Sequence, residues 1–317
     1  MFLTEKAATR LTLLLFPSKN SLPSPFPSLP FDQALIARLH SLLPIPNFSS
    51  SIPLSWLCRA VDFLALTLSD AAALISDPSL SGSDRAALAA HLDSGIALLD
   101  ACNAVAAHID RLLRRRLLLR FALHLLSSPD SLRRARDVIA EWDRDRRPPR
   151  AIHDSAGMLV RSLAPGDPPR GKISAVHRAI YAVEAVSSLV AGAVIAVLGG
   201  GEKEDLSGIS VSGDFPWAEA FNKVAEAVSS ELGEGLPGEV EAAEASVRRL
   251  AAVIDGEDTG DKTETLRSAV KDAEKAAEEM KDGLDRLSNA VNGLFCAALR
   301  TRDAALQSFR IGLQNCR

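Results

Sequence analysis

A heptad of apolar residues runs through the C-terminal part of the chain. Ten positions between residues 266 and 298 alternate four and three residues apart: Leu266, Val270, Ala273, Ala277, Met280, Leu284, Leu287, Val291, Leu294 and Ala298. This spacing puts all ten side chains on one face of a helix, as in a coiled coil or a long bundle helix. Because three of the ten are alanines, we expect close packing against helices of the same chain rather than a free-standing zipper.

Helical spacing also dominates the rest of the chain after residue 30. One segment that follows Pro53 has apolar residues every three or four positions: Leu54, Leu57, Val61, Leu64 and Leu68. A longer helix is predicted from about Asp84 to Leu126. Further helices are predicted over Ser131–Trp142, Ala151–Leu163, Lys172–Leu198, 214–232 and Leu236–Ile254. No stretch alternates as a strand does, so we predict an all-α fold, an elongated multi-helix bundle with a long C-terminal heptad-patterned helix.

The chain begins with a leader that differs in composition from the rest. Residues 17–30 contain five prolines and four serines, and proline removes backbone donors and disfavours helix. We therefore predict a disordered Pro/Ser-rich leader over residues 1–30, a single helical-bundle domain over 31–317 and an acidic loop at 255–263. The leader holds one acid, Glu5, so plastid targeting is a minor alternative to a cytoplasmic location.

The composition argues against several classes of function. Lys+Arg 36 against Asp+Glu 40 gives a net charge of −4, which argues against nucleic acid as a partner. The four cysteines and six histidines show no close ligand spacing, so neither a metal site nor a cofactor is predicted. We expect Cys58, Cys102 and Cys296 to pack in the core. No local nucleophile and base indicate an enzyme, and no catalytic residue is predicted.

Opposite charges are concentrated in two segments. Residues 111–150 hold twelve arginines against five acids, whereas residues 239–286 hold fourteen acids against eight bases. The interpretation we favour is that the two segments lie near each other or face water. The alternative is an interaction surface for a protein or an anionic membrane. That candidate surface consists of Arg111, Arg114, Arg115, Arg116 and Arg120.

The most apolar part of the chain is Ala185–Leu198, which has fourteen residues without a charge. Fourteen residues rise about 21 Å in a helix, less than the roughly 30 Å hydrocarbon core of a bilayer. Small residues such as Ala191, Gly192 and Ala193 suit a central bundle helix that neighbours approach closely. The alternative is a membrane segment near residues 181–198, within the apolar stretch 180–200, and both interpretations stay open here.

Several segments, taken in order, resemble one plant protein family. They are Leu54-Ser55-Trp56, residues 98–104, residues 117–124, Gly171-Lys172, Arg178-Ala179-Ile180-Tyr181, residues 216–221 and the final helix from Phe295 to Arg310. No single motif is specific, but the ordered set, spanning roughly residues 31–312, resembles the plant BYPASS family of BYPASS-like or UPF0496-type helical proteins.

The resemblance implies a helical protein without known enzymatic activity. Members are linked to root and shoot development and to restraining a root-derived mobile growth-arrest signal. Some relatives are connected with exocyst-dependent secretion, and the apolar segment near residues 180–200 is often interpreted as a membrane span. The resemblance thus implies other proteins, exocyst components among them, as partners. It carries over no catalytic or ligand residue, and the oligomeric state stays open.

Overall fold

Helices account for nearly all of the residues that the computed structural model describes, which are 29–43, 51–76, 82–128, 131–145, 158–169, 171, 173–199, 209–231, 236–256 and 262–314. These residues form nine helices and no strand. They are α1 (Pro30–Leu42), α2 (Leu54–Ile75), α3 (Gly82–Leu125), α4 (Leu132–Arg144), α5 (158–162), α6 (Ala175–Gly199), α7 (Ala218–Glu231), α8 (Gly238–Asp255) and α9 (Lys262–Gln314). The all-α bundle predicted from the sequence is confirmed.

Helix α9 organises the bundle along its length. Its 53 residues correspond to about 80 Å, and it packs against α2, α3 and α8. Of the ten heptad residues, the eight from Ala273 to Ala298 are buried, while Leu266 and Val270 are partly buried. The heptad therefore packs against helices of its own chain, as its alanines predicted.

Helices α2 and α9 approach each other closely at one glycine. A Cβ atom built on Gly283 would lie 2.6 Å from Leu54 Cδ1 and 3.2 Å from Leu54 Cβ, which is inside van der Waals contact. Gly283 therefore lets the first turn of α2 sit directly on the backbone of α9. No comparable neighbour lies within 4 Å of a Cβ built on Gly293, further along the same helix.

Helix α6 lies inside the bundle. It packs against α2 and α3, and its residues from Ala185 to Ile195 are buried. Among the described residues it is the one helix long and apolar enough to cross a membrane, and 89% of its apolar window is buried by the rest of the chain. The bundle thus supplies a protein environment for a helix that has the composition of a membrane span.

Helix α1 is held in the bundle by polar contacts as well as apolar ones. The Leu29 backbone N–H donates to Asp32, and Asp32 accepts from Arg178 of α6, both side chains being buried. Trp56 Nε1 of α2 donates to the Leu42 carbonyl at 2.9 Å. The two ends of α1 are therefore tied to different helices of the core.

Several sequence predictions fall outside the described residues or need correction. The leader, except for Leu29 and Pro30, lies outside them, as do most of the acidic loop and the first half of the helix predicted at Ala151–Leu163. Cys102 is buried, but the prediction that Cys296 packs in the core is wrong, because it lies on an exposed face of α9. Cys58 is half-buried.

Candidate functional site

Arg115 sits at the centre of a polar layer between α3, α4 and α8. Its Nη2 lies 3.1 Å from Glu244 Oε1 of α8, and its guanidinium lies 4.0 Å from the ring centroid of Trp142 on α4. Both partners are buried. A planar guanidinium can stack on an aromatic face and pair with a carboxylate in the same plane, so one side chain joins three helices.

The neighbouring arginines of α3 make further contacts within the chain. Arg116 Nη2 lies 2.6 Å from Glu278 of α9, and Arg111 Nη1 donates to the Asp145 carbonyl at 3.2 Å. Burial, followed by repulsion from Arg115, lowers the pKa of Arg111 from its usual value. We call Arg111, Arg115 and Arg116 the internal arginine layer.

The internal arginine layer revises the candidate interaction surface. Arg111, Arg115 and Arg116 are each no more than 6% exposed, so they are directed into the bundle and do not form part of an outer surface. The interpretation that the basic and acidic segments lie near each other is supported instead, because the basic segment contacts the acidic segment at Glu244 and Glu278. A further pair, Arg136 with Asp255, joins α4 to the end of α8 through two hydrogen bonds.

Arg114 and Arg120 remain on the outside of α3. Between and beside them lie Leu117, 58% exposed, and Phe121, 48% exposed. We call these four residues the outer patch of α3. Of the predicted surface, Arg114 and Arg120 thus stay exposed, and they lie in a patch with phenylalanine, which like arginine is enriched at protein interfaces.

A small cavity lies between α2, α3, α6 and α9. Its volume is about 10 Å³, the space of one water molecule. Among its lining residues are five polar side chains: His91, Ser94, Glu184, Ser187 and Arg302. Neither His91 Nδ1 nor Ser187 Oγ has a hydrogen-bond partner among the described residues.

The electrostatics of the cavity follow from burial. Burial, helped by the nearby Arg302 charge, lowers the pKa of His91 to about 4. Burial raises the pKa of Glu184, although the Gly166 N–H and the Ser94 hydroxyl favour its charged form. The cavity therefore holds a neutral histidine at physiological pH, and its size leaves no room for an organic substrate.

Cys102 of α3 lies in the apolar core, beside residues of α2, α6 and α9. Burial raises the pKa of its thiol to about 12, so the thiol stays protonated and is a poor nucleophile or metal ligand. Among the described residues, no group of three or more His, Cys, Asp or Glu side chains could hold a metal ion.

The sequence could not identify the partners of the internal arginine layer. Glu244 and Glu278 lie 129 and 162 residues from Arg115 and Arg116 along the chain, and helical spacing alone does not show which helices meet. The one signal was the opposite charge of the two segments. The cavity residues carried a weaker signal, since Glu184 is the one acid in helix α6.

Comparison with known proteins places the chain among plant proteins. It is 30% identical over 298 residues to "Protein BPS1, chloroplastic" from Arabidopsis thaliana, an alignment that covers 88% of this chain and 82% of that protein. It is 32% identical over 295 residues to "UPF0496 protein 4" from Oryza sativa subsp. indica, covering 86% of this chain and 63% of the relative. The protein of the same name from subsp. japonica is 31% identical over 303 residues, covering 87% and 64%.

The chain spans a little under two thirds of the length of the two rice relatives. No family model matches the chain, and no solved structure does. The fold and the internal arginine layer define an all-α bundle with an apolar core and ion pairs between its helices. With these relatives over most of its length, the chain belongs to the BYPASS/UPF0496-type family of plant proteins.

Proposed function

We propose that this chain is a non-enzymatic helical adaptor in plant root and shoot development, where it restrains a root-derived mobile growth-arrest signal. Membership of the BYPASS/UPF0496-type family supports this role. The observation that carries the proposal is the outer patch of α3, where Leu117 and Phe121 stand exposed beside Arg114 and Arg120.

The outer patch gives an adaptor a place to bind. Leu117 and Phe121 offer apolar area that gains free energy when a partner removes it from water. Arg114 and Arg120 add hydrogen-bond donors that select a partner with acidic or carbonyl groups. The internal arginine layer holds α3 in place behind the patch, so the surface is rigid before binding and loses little entropy on association.

Complementation of plants that lack the chain tests the proposal. The Leu117→Glu, Phe121→Glu double variant is expected to fold, fail to restore root and shoot growth, and lose its partners in proximity labelling. Leu66→Glu, at a leucine that is 52% exposed on α2, is the matched control and is expected to restore growth. Full restoration of growth by the double variant would overturn the proposal.

A graft separates the signalling role from a general growth defect. A root that lacks the chain is expected to arrest a wild-type shoot, and a wild-type root is expected to rescue a shoot that lacks it. If the shoot genotype decides the outcome instead, the chain does not restrain a root-derived signal.

A second candidate function is membrane association in exocyst-linked secretion, through the arginines of α3. The observation that favours it is α6, which has the length and composition of a membrane span. Extraction of plant membranes with salt and then carbonate distinguishes the candidates. A cytoplasmic adaptor stays in the supernatant throughout, whereas a spanning protein stays in the pellet. A peripheral protein is released, and its binding to phosphatidylserine vesicles falls in an Arg114→Glu, Arg120→Glu variant.

The compartment in which the adaptor acts has two candidates as well. We propose the cytoplasm, and the name of the Arabidopsis relative, which includes "chloroplastic", supports the plastid as the alternative. Fluorescence of the full chain fused at its C-terminus distinguishes the two, because a plastid protein co-localises with chlorophyll.

A further inference from the structure

Three residues of the outer patch, Arg114, Leu117 and Phe121, belong to a longer row of exposed residues on α3. Nine successive positions, spaced alternately four and three apart, are all exposed: Ile96, Asp100, Asn103, Ala107, Asp110, Arg114, Leu117, Phe121 and His124. We call this row the outer seam. Ile96, Leu117 and Phe121 are three of the seven large hydrophobic side chains that the described residues expose, so exposed apolar area is concentrated on it.

The outer seam has the spacing of a coiled-coil interface but packs against no other described helix. The opposite side of α3 packs against α4, α6 and α9, which fill its inner surface. A heptad row facing water is the pattern by which one helix docks on another. From Ile96 to His124 the row extends along about 40 Å of helix.

The outer seam is complementary to itself when two copies run antiparallel. With a two-fold axis at the level of residue 112, Asp110 lies opposite Arg114 of the second copy. Asp100 then lies opposite His124, so acid meets base at both levels. The large Leu117 and Phe121 lie opposite the smaller Ala107 and Asn103, so side-chain size alternates across the seam.

A parallel arrangement would be unfavourable on the same surface. It would set Asp100, Asp110 and Arg114 each against its own copy, which places like charges together. An anionic membrane is also a poor occupant, because Asp100 and Asp110 lie in the row that would face it. Charge and side-chain size therefore favour a second copy of the chain on the outer seam, packed antiparallel to the first.

We propose that the chain forms a two-fold symmetric dimer through antiparallel packing of the outer seams of α3. The inference rests on the proposed function in that it takes the outer patch as a protein-binding surface and identifies the partner as a second copy. A two-fold interface uses the same surface on both subunits and closes after two copies.

Sedimentation velocity and light scattering of the full chain test the dimer at concentrations from about 1 to 100 μM. The expected mass is twice the 33.8 kDa of one chain. Arg114→Asp and Asp110→Arg, made separately, are each expected to raise the dissociation constant at least about tenfold. The combined Asp110→Arg, Arg114→Asp variant is expected to restore dimerisation, because it exchanges the two charges across the axis.

The control is Arg85→Asp, which reverses a charge that is exposed on α3 but outside both the outer patch and the outer seam, and it is expected to remain a dimer. Thermal melting confirms that each variant is folded. Three results would each overturn the inference. The wild-type chain is monomeric at the highest concentration, or neither single charge reversal raises the dissociation constant of the dimer, or the combined variant stays monomeric. If the chain is monomeric but plants still need Leu117 and Phe121 for growth, the inference fails and the proposed function stands. If the chain is a dimer but variants of the outer patch restore growth, the proposed function alone fails.

Discussion

The Arg115 guanidinium and the Glu244 carboxylate meet inside the bundle, where Nη2 lies 3.1 Å from Oε1 and neither side chain is more than 5% exposed. Removing two charges from water is costly, and their attraction offsets that cost only when both partners are present. The pair therefore makes the junction of α3 and α8 depend on both residues together.

Glu244→Leu is expected to lower the free energy of unfolding by about 3–5 kcal/mol, because it leaves a buried guanidinium without its carboxylate. Adding Arg115→Met in the same chain is expected to recover most of that loss. Urea denaturation of the wild type, the two single variants and the double variant measures both effects. The control is Asp272→Leu at the exposed Arg249–Asp272 pair, where a loss below about 1 kcal/mol is expected. Equal losses at both pairs would contradict this account.

His91 makes stability depend on pH on the acid side. Its pKa is lowered from 6.5 to about 4 in the folded chain. Between these values the unfolded chain binds a proton that the folded chain does not, so stability falls as pH falls. The shift corresponds to about 3 kcal/mol. His91→Gln is expected to lose less stability than the wild type when the pH is lowered from 6.5 to about 4.

Thermal melting across this pH range measures the effect. Glu184 lines the same cavity, and its raised pKa acts in the opposite direction, so the comparison of His91→Gln with the wild type isolates the histidine. His40→Gln, at an exposed histidine of α1 outside the cavity, is expected to follow the wild-type curve. Parallel curves for all three proteins would show that His91 does not cause the acid dependence.

Gly283 and Gly293 lie in the same helix and are expected to respond differently to a larger side chain. Gly293→Ala gains helix propensity in open space and is expected to add up to about 1 kcal/mol of stability. At Gly283 the new Cβ would meet Leu54 Cδ1 at 2.6 Å, so Ala brings no gain. Gly283→Val is expected to cost about 1–3 kcal/mol through overpacking. A stabilising Gly283→Val, by thermal melting, would refute the close approach.

Leu287→Asp is expected to destabilise the chain by about 4 kcal/mol or more, because Leu287 is fully buried in the heptad of α9 and the substitution places a carboxylate among apolar side chains. Asn289→Asp, at an exposed position of the same helix, is expected to change stability by about 0.5 kcal/mol or less. Circular dichroism melting compares the two, and an unchanged midpoint for Leu287→Asp would show that this face is exposed.

The sequence predicted the helices well because each has an apolar face of its own. Pro53 and the spacing from Leu54 predicted the start of α2, and the heptad from Leu266 predicted the buried face of α9. The predictions were weaker where contact between distant segments decides the outcome. Cys296 has an apolar neighbourhood in the sequence, but no described helix covers its face of α9.

The candidate site could be predicted only in part for the same reason. Five arginines on one segment indicated a charged surface, yet their side chains point in different directions around α3. Arg115 and Arg116 pair with carboxylates on α8 and α9, whereas Arg114 and Arg120 pair with none in the described structure and face water. Whether an arginine is internal depends on which helices pack beside it, and charge counts do not contain that information.

The enclosure of α6 has a consequence for how the chain is made. Helices α2 and α3, which cover α6, precede it in the sequence and leave the ribosome first. Helix α6, which membrane-insertion machinery could recognise, therefore emerges when the helices that cover it are already synthesised. Early packing of α6 against α2 and α3 then competes with its insertion into a bilayer. The order in which the helices are synthesised thus helps to decide between a water-soluble product and an inserted one.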